Sequence, residues 1–294
     1  MVATEHVLDI DGSSVAVLDH GGSGVDVLLM HSPGYCAPAW DEVASALGER
    51  VHAYAVDLPG HGHSTGDLVD AAHTRTMLAH VVEALGLDRP VLVGIDFAGY
   101  YALAIAAEHP GLARSVVTLG AFALRDRETS QAVLDFALSE GMADDMRTRF
   151  FFGLTGTGEQ SRAELVDALV GRGQGDWLIS DIAGGLRHEV EWSVRDLPDG
   201  RWVHLPKPGT VQAGYRVAED DSYFPDLALF EHVTVPIWQV ISVGGQDDDL
   251  FDAGRRVAQQ YPHVRFVKVE GGFAPHYKVP DDVADLILEA AATP

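Results

Sequence analysis

The stretch Val91–Leu103, VLVGIDFAGYYAL, decides how the rest of the chain is read. A β-branched apolar run ends at one acid, Asp96, and passes directly into an Ala/Leu/Ile segment with helical spacing. Gly94 and Gly99 bracket that acid. A strand turning sharply into a helix needs small neighbours to permit the strained turn, and the helix N-terminus then offers N–H groups to an anion. A carboxylate at such a place costs several kcal/mol unless it is paired or hydrogen-bonded, so Asp96 is expected to have work to do.

Outward from this point, short β-branched runs alternate with helical patterns. HVLDID and SVAVLDH flank Asp11-Gly12 and predict an N-terminal hairpin. VDVLLMH, VHAYAVDL, PVLVGID, RSVVTLGA, PIWQVISVG and VRFVKVEG predict buried parallel strands. PAWDEVASALGER, AAHTRTMLAHVVEALGL, AGYYALAIAAEHP, LFDAGRRVAQQYP and PDDVADLILEAA predict the helices between them. The implied class is α/β, a mostly parallel sheet with helices on both faces. The alternation stops over residues 123–226, where RFFFGL, GDWLISD, HEVEWSVRDL and GRWVHLPKPG are aromatic and Gly-punctuated. The expected organisation is a core of residues 1–122 and 227–294 with a mainly helical cap or lid inserted at 123–226. Trp177 and Trp192 in that cap are read either as lining a pocket or as part of a small core of its own.

The composition excludes several classes of function. A net charge of -24, from 20 Lys+Arg against 44 Asp+Glu, repels phosphate backbones and anionic membranes. No nucleic-acid partner is expected. No window approaches the ~20 apolar residues of a membrane helix, and the first residues turn polar at once, so no membrane partner and a cytoplasmic location are expected. The single Cys36 reads as a small buried hydrophobe. No His or Cys spacing suggests a metal, and no cofactor is expected. The expected partner is a small-molecule substrate, and the chain a monomer or homodimer.

Together with LLMHSPGY, DLPGHGHS, AAEHPGLA, VGGQDDDLF and PHYKVPDDVADLI, in that order, the elbow resembles the α/β-hydrolase superfamily along nearly the whole chain. In that superfamily the elbow usually carries Ser. With Asp there the chain resembles the epoxide hydrolase and haloalkanoate dehalogenase branches, whose Asp forms an alkyl ester that a His-activated water hydrolyses. The resemblance implies that Asp248, in the loop after the strand PIWQVIS, is the acid that would orient a catalytic His. It also puts Phe273 where that His belongs, because GGFAPHYKVPDDV aligns on Pro275, His276 and Pro280. His276 is the candidate substitute base.

The oxyanion segment departs as well. Counting from His31 to Trp40 places Ser32 at the family's usual Gly and Pro33 at the usual N–H donor, and proline has no N–H. A one-residue slip would restore a donor; otherwise the Phe97 N–H is the one left. His31 is read as an oxyanion-segment residue, usually structural. Tyr215, in TVQAGYRVAEDD, resembles the cap tyrosines that donate a phenol to substrate oxygen in epoxide hydrolases. Phe97 lacks the ring N–H with which dehalogenases bind halide.

These departures imply an enzyme on a hydrolase scaffold in which Asp96 works as a non-covalent general acid or base. The expected chemistry is isomerisation, epimerisation, elimination or cyclisation with carbon–carbon bond formation, on a polycyclic or otherwise hydrophobic substrate of specialised metabolism. A covalent Asp hydrolase using His276, epoxide hydrolase before dehalogenase, is the second reading. A non-catalytic ligand-binding protein is the third.

Overall fold

The computed structural model describes residues 3–172, 185–244, 250–272 and 274–293. Eight strands form one sheet: β1 (Thr4–Ile10), β2 (Ser13–Asp19), β3 (Asp26–Met30), β4 (His52–Val56), β5 (Val91–Ile95), β6 (Ser115–Leu119), β10 (Ile237–Val243) and β11 (Val264–Glu270). Their order is β1-β2-β4-β3-β5-β6-β10-β11. The pairs from β4 to β11 are parallel, whereas β1, β2 and β4 pair antiparallel, as a tight hairpin at the sheet edge requires. The hairpin turns at Asp11 and Gly12, both at positive φ. β5 and β6 are buried along their whole length, which is why their sequences run apolar without alternation.

The helices packed on this sheet are α1 (Asp41–Leu47), α2 (Ala71–Ala84), α3 (Phe97–Glu108), α9 (Phe251–Gln260), α10 (Pro275–Lys278) and α11 (Pro280–Ala291). α3 is buried on every side apart from its last residue, in keeping with a sequence that is apolar all round. The strand order reverses between β3 and β5, so the loops leaving these two strands open a crevice at their carboxyl ends. Asp96 and the segment from His31 to Cys36 lie there.

Between β6 and β10 the chain forms α4 (Arg127–Ala137), α5 (Glu140–Arg149), α6 (Gly158–Arg172), α7 (Gly185–Trp192) and α8 (Pro208–Gly214). The expectation of a mainly helical insertion misses a three-stranded antiparallel sheet, β7 (Thr155–Thr157), β9 (Arg201–His204) and β8 (Val194–Asp196). Strands of three or four residues are too short to show alternation. Leu165, Val166, Leu169, Leu186, Val190 and Trp202 give this segment a core of its own. Trp202 closes it from above: a Cβ on Gly156 would lie 2.1 Å from its ring.

Candidate active site

Asp96 sits at φ 52°, ψ -120°, a backbone conformation that costs a non-glycine residue on the order of 1–3 kcal/mol. Its surroundings impose it. The Asp96 N–H donates to the Leu119 carbonyl at 2.7 Å, and its own carbonyl accepts from the Gly99 N–H at 3.1 Å. Gly94 must be glycine, because a Cβ there would lie 2.1 Å from the Ala98 carbonyl oxygen. The strand-to-helix elbow read from the sequence is therefore present in detail.

Two hydroxyls converge on one oxygen of the acid. Ser32 Oγ donates to Asp96 Oδ2 at 2.8 Å, and the Tyr215 phenol donates to the same atom at 3.4 Å. Burial, and then the charge of Asp96, hold the Tyr215 phenol well above its ordinary pKa, so it stays a proton carrier at any ordinary pH. Tyr215 is fixed from behind: Tyr101 donates to the carbonyl of the preceding Gly214 at 2.7 Å, and the Phe97 ring lies 4.5 Å from the Tyr215 ring. Phe97 is thus a fully buried support under the site; its side chain does not line the cavity. As the first residue of α3, it carries an N–H with no acceptor within the helix.

From residue 33 to residue 37 the loop after β3 has no amide to spare. Pro33 has no N–H. The Gly34 N–H donates to His61 Nε2 at 3.1 Å, the Tyr35 N–H to the Ser32 carbonyl at 3.1 Å, the Cys36 N–H to Glu189 Oε1 at 3.3 Å, and the Ala37 N–H to Asp57 Oδ1 at 2.7 Å. A slip in register thus leaves Gly34 with its N–H already taken. His31 is occupied in the same way: Nε2 accepts from the Leu58 N–H at 3.0 Å while Nδ1 donates to the Ser32 carbonyl at 2.9 Å. Burial depresses the pKa of both imidazoles, His31 well below the usual range and His61 to about 4. Both are neutral clamps on the loop, so His31 is placed as scaffold rather than as a substrate ligand.

Two further candidates pack away from the cavity. The His276 ring is fully buried among Tyr35, Trp40 and Tyr277, with centroids 5.9, 5.6 and 4.2 Å away, and it does not line the cavity. Neither ring nitrogen has a hydrogen-bond partner among the described residues, and burial pushes its pKa down to about 3. It packs as a core side chain. Trp192 also stands outside the cavity: its indole N–H donates to Asp57 Oδ2 at 2.8 Å and its ring stacks on His63 at 3.6 Å. The buried Asp57 also accepts from the Ala37 and His63 amides, so Trp192 pins α7 to the core. Asp248, Phe273 and Trp177 lie outside the described residues.

A cavity of about 420 Å³ opens over Asp96 between sheet and insertion. Its wall is largely apolar, with Phe122, Met142, Met146, Phe150 and Val190 contributing, and Tyr35, Tyr215 and Tyr277 supply phenols. Glu189, which the sequence reading passed over, also lines it. The signal was there: Leu186, Glu189 and Val190 share one face of α7 at i, i+3 and i+4, and that face is the buried one. Ser32 was noted only as a departure from a pattern. Its pairing with an acid at the elbow is what made it informative.

Residues 17–274 match the family described as alpha/beta hydrolase fold, and the chain belongs to it. Relatives include a pimeloyl-[acyl-carrier protein] methyl ester esterase of Nitrosomonas europaea, 24% identical over 88% of this chain and 93% of that protein. An esterase of Mycobacterium tuberculosis is 36% identical, but the match spans only 37% of each chain. Among solved structures, E-2-(acetamidomethylene)succinate hydrolase superposes with a TM-score of 0.74 at 20% identity, covering 98% of both chains. Epoxide hydrolase A of Mycobacterium thermoresistibile superposes at 0.66 with 18% identity, again over 98% of both, a likeness of fold alone. Among the described residues no helix is long and apolar enough to cross a membrane.

Proposed function

We propose that this α/β-hydrolase-fold enzyme uses Asp96 as a non-covalent general acid and base on an apolar small molecule held between core and cap. The reaction class is proton transfer at carbon: isomerisation, epimerisation, elimination or ring closure. The observation that carries this reading is the state of the oxyanion loop. From residue 33 to residue 37 every backbone N–H is either absent or committed to an internal acceptor. A tetrahedral oxyanion on a substrate acyl group would find no free backbone N–H among residues 33–37, and losing one such donor costs about 2.7–4 kcal/mol. Proton transfer at carbon can meet the charge developing on oxygen with a side-chain donor and does not depend on this loop. The two hydroxyls on Asp96 Oδ2 and the apolar wall suit a carboxyl that exchanges a proton while it stays in place.

Hydrolysis through a covalent Asp96 ester is the second reading. The relatives are named as esterases and hydrolases, and the Tyr215 phenol stands beside the elbow acid where it would polarise an epoxide oxygen. The burial of His276 argues against it, since a base at that position would have to leave its aromatic packing to serve the elbow.

Two probes separate the readings. β-Tetralone, an apolar ketone with an activated methylene, is incubated in heavy water and deuterium uptake is followed. The wild type is expected to exchange it above the buffer rate, and D96N to lose about 10²–10⁴-fold of that. Styrene oxide is then turned over in heavy-oxygen water, and the peptide carrying Asp96 is weighed. Exchange surviving in D96N, or heavy oxygen entering the Asp96 carboxylate, would overturn the proposal.

A further inference from the structure

Glu189 is a second carboxyl on the cavity wall, only 7% exposed, and it faces the space that Asp96 also faces. It arrives from the cap, on α7, while its partners belong to the core. The Tyr277 phenol on α10 donates to Oε2, and the Cys36 N–H donates to Oε1 at 3.3 Å. Tyr35 lies between the two acids in an electrostatic sense: burial raises its phenol pKa first, then the charge of Glu189, then that of Asp96. A glutamine has a single acceptor oxygen and could not take these two donors on separate atoms, so the contacts select a carboxyl, and they hold it on an apolar wall where a bound substrate can reach it.

We propose that Glu189 is the second proton-transfer group of this site, the acid that protonates a substrate carbonyl oxygen while Asp96 takes a proton from the adjacent carbon. This rests on the role assigned to Asp96 above and names its substrate class: an uncharged, apolar ketone or similar carbonyl compound with an enolisable carbon. In the step, the C–H bond breaks and its proton goes to Asp96. The electron pair becomes a C=C bond, and the carbonyl π pair moves to oxygen, which takes the proton of Glu189. The reverse step returns a proton to carbon and restores the Glu189 acid, so nothing is oxidised or reduced.

The surroundings raise this acid far enough for a protonated form to exist up to about neutral pH. Burial pushes Glu189 up to about 7; the Tyr277 phenol and the Cys36 N–H oppose the rise, and the charges of Asp41 on α1 and Asp57 after β4 add to it. Tyr35 stands in the loop after β3, and Asp145, Arg149 and His204 line the same cavity. Glu189 is therefore a proton donor below about pH 7 and loses that capacity above it.

The test is deuterium uptake by β-tetralone in heavy water, between about pH 5 and 9, by wild type, E189Q, Y277F and D96N. Wild-type exchange is expected to fall above about pH 7. E189Q is expected to be about 10²-fold slower and to lose that fall. Y277F removes a donor to the ionised form, so the fall should move to higher pH, a shift that a purely structural role would not produce. Thermal melts of each variant establish that it is folded. An unchanged rate in E189Q, or a slower rate with the high-pH fall still in place, would overturn the assignment of Glu189 while leaving Asp96 untouched. Exchange that survives in D96N overturns the reading of Asp96 instead, whatever Glu189 does.

Discussion

Tyr101, on the elbow helix, donates a 2.7 Å hydrogen bond to the carbonyl of Gly214, at the end of the last cap helix. The contact ties the position of the next residue, Tyr215, to the helix that begins at the elbow. A Cβ on Gly214 would lie 2.6 Å from Pro33 Cγ and 3.1 Å from the Tyr101 hydroxyl. G214A is therefore expected to push Tyr215 off Asp96 and lower β-tetralone exchange by about tenfold or more, because a small misplacement near the reacting groups is costly. Y101F should cost about 1–3 kcal/mol of stability by leaving a buried carbonyl unpaired, readable as a lower urea midpoint.

Ser32 and Tyr215 should contribute unequally to the acid they share. The 2.8 Å bond from Ser32 is the shorter, and hydrogen bonds to charged groups are worth about 1.5–3 kcal/mol. S32A is expected to reduce exchange more than Y215F, whose lost bond is 3.4 Å long. Steady-state exchange rates on the two variants check the order, and the reverse order would make the phenol the more important partner.

His276 should be dispensable for activity and a burden on stability. With both nitrogens unpaired among the described residues and set in an aromatic shell, H276L is expected to gain about 1–3 kcal/mol at neutral pH, while exchange stays within a few fold of wild type. The pH dependence has a definite sign. The folded pKa is depressed to about 3, so the unfolded chain binds the proton first. The wild type's contribution is complete above the unfolded value of about 6.5 and is lost as pH falls toward 3. The advantage of H276L should therefore widen by about 2 kcal/mol between pH 7 and 5, measured by urea unfolding. Loss of exchange in a folded H276L would restore His276 as a catalytic base.

Trp192 should behave as an anchor. W192F removes one of the N–H donors to the buried Asp57 and is expected to cost about 1–3 kcal/mol in thermal or urea stability. Because the ring stands outside the cavity, the KM for β-tetralone should not change. A raised KM with unchanged stability would return Trp192 to the substrate pocket.

Much of the fold was legible because burial leaves a plain record. Strands such as Val91–Ile95 and Ser115–Leu119 are apolar throughout since both faces are covered, and Gly94 is glycine because the next turn of chain touches it. The elbow acid was legible for the same reason. The cap sheet was not, because strands as short as Thr155–Thr157 carry too few residues for a period. Nor were the fates of His31, His276 and Trp192. Sequence order says which loop a side chain belongs to, but which way an imidazole or an indole turns depends on partners such as Leu58, Trp40 and Asp57, remote along the chain. Glu189 was hidden by habit: a glutamate on a helix is ordinarily a solvated one.

The committed amides after β3 also bear on ancestry. Each of the N–H groups from Gly34 to Ala37 answers to a different neighbour: an imidazole, a peptide carbonyl, a cap glutamate and a buried aspartate. To free one of them, a partner remote along the chain has to change, His61 for Gly34 or Asp57 for Ala37. A lineage that reached this arrangement from an ester-cleaving forebear would thus need more than serine and histidine returned to their old posts, since the donor of the loop would have to be restored as well. What this loop can offer an anion is set by Pro33 and by the distant side chains that its other amides answer to.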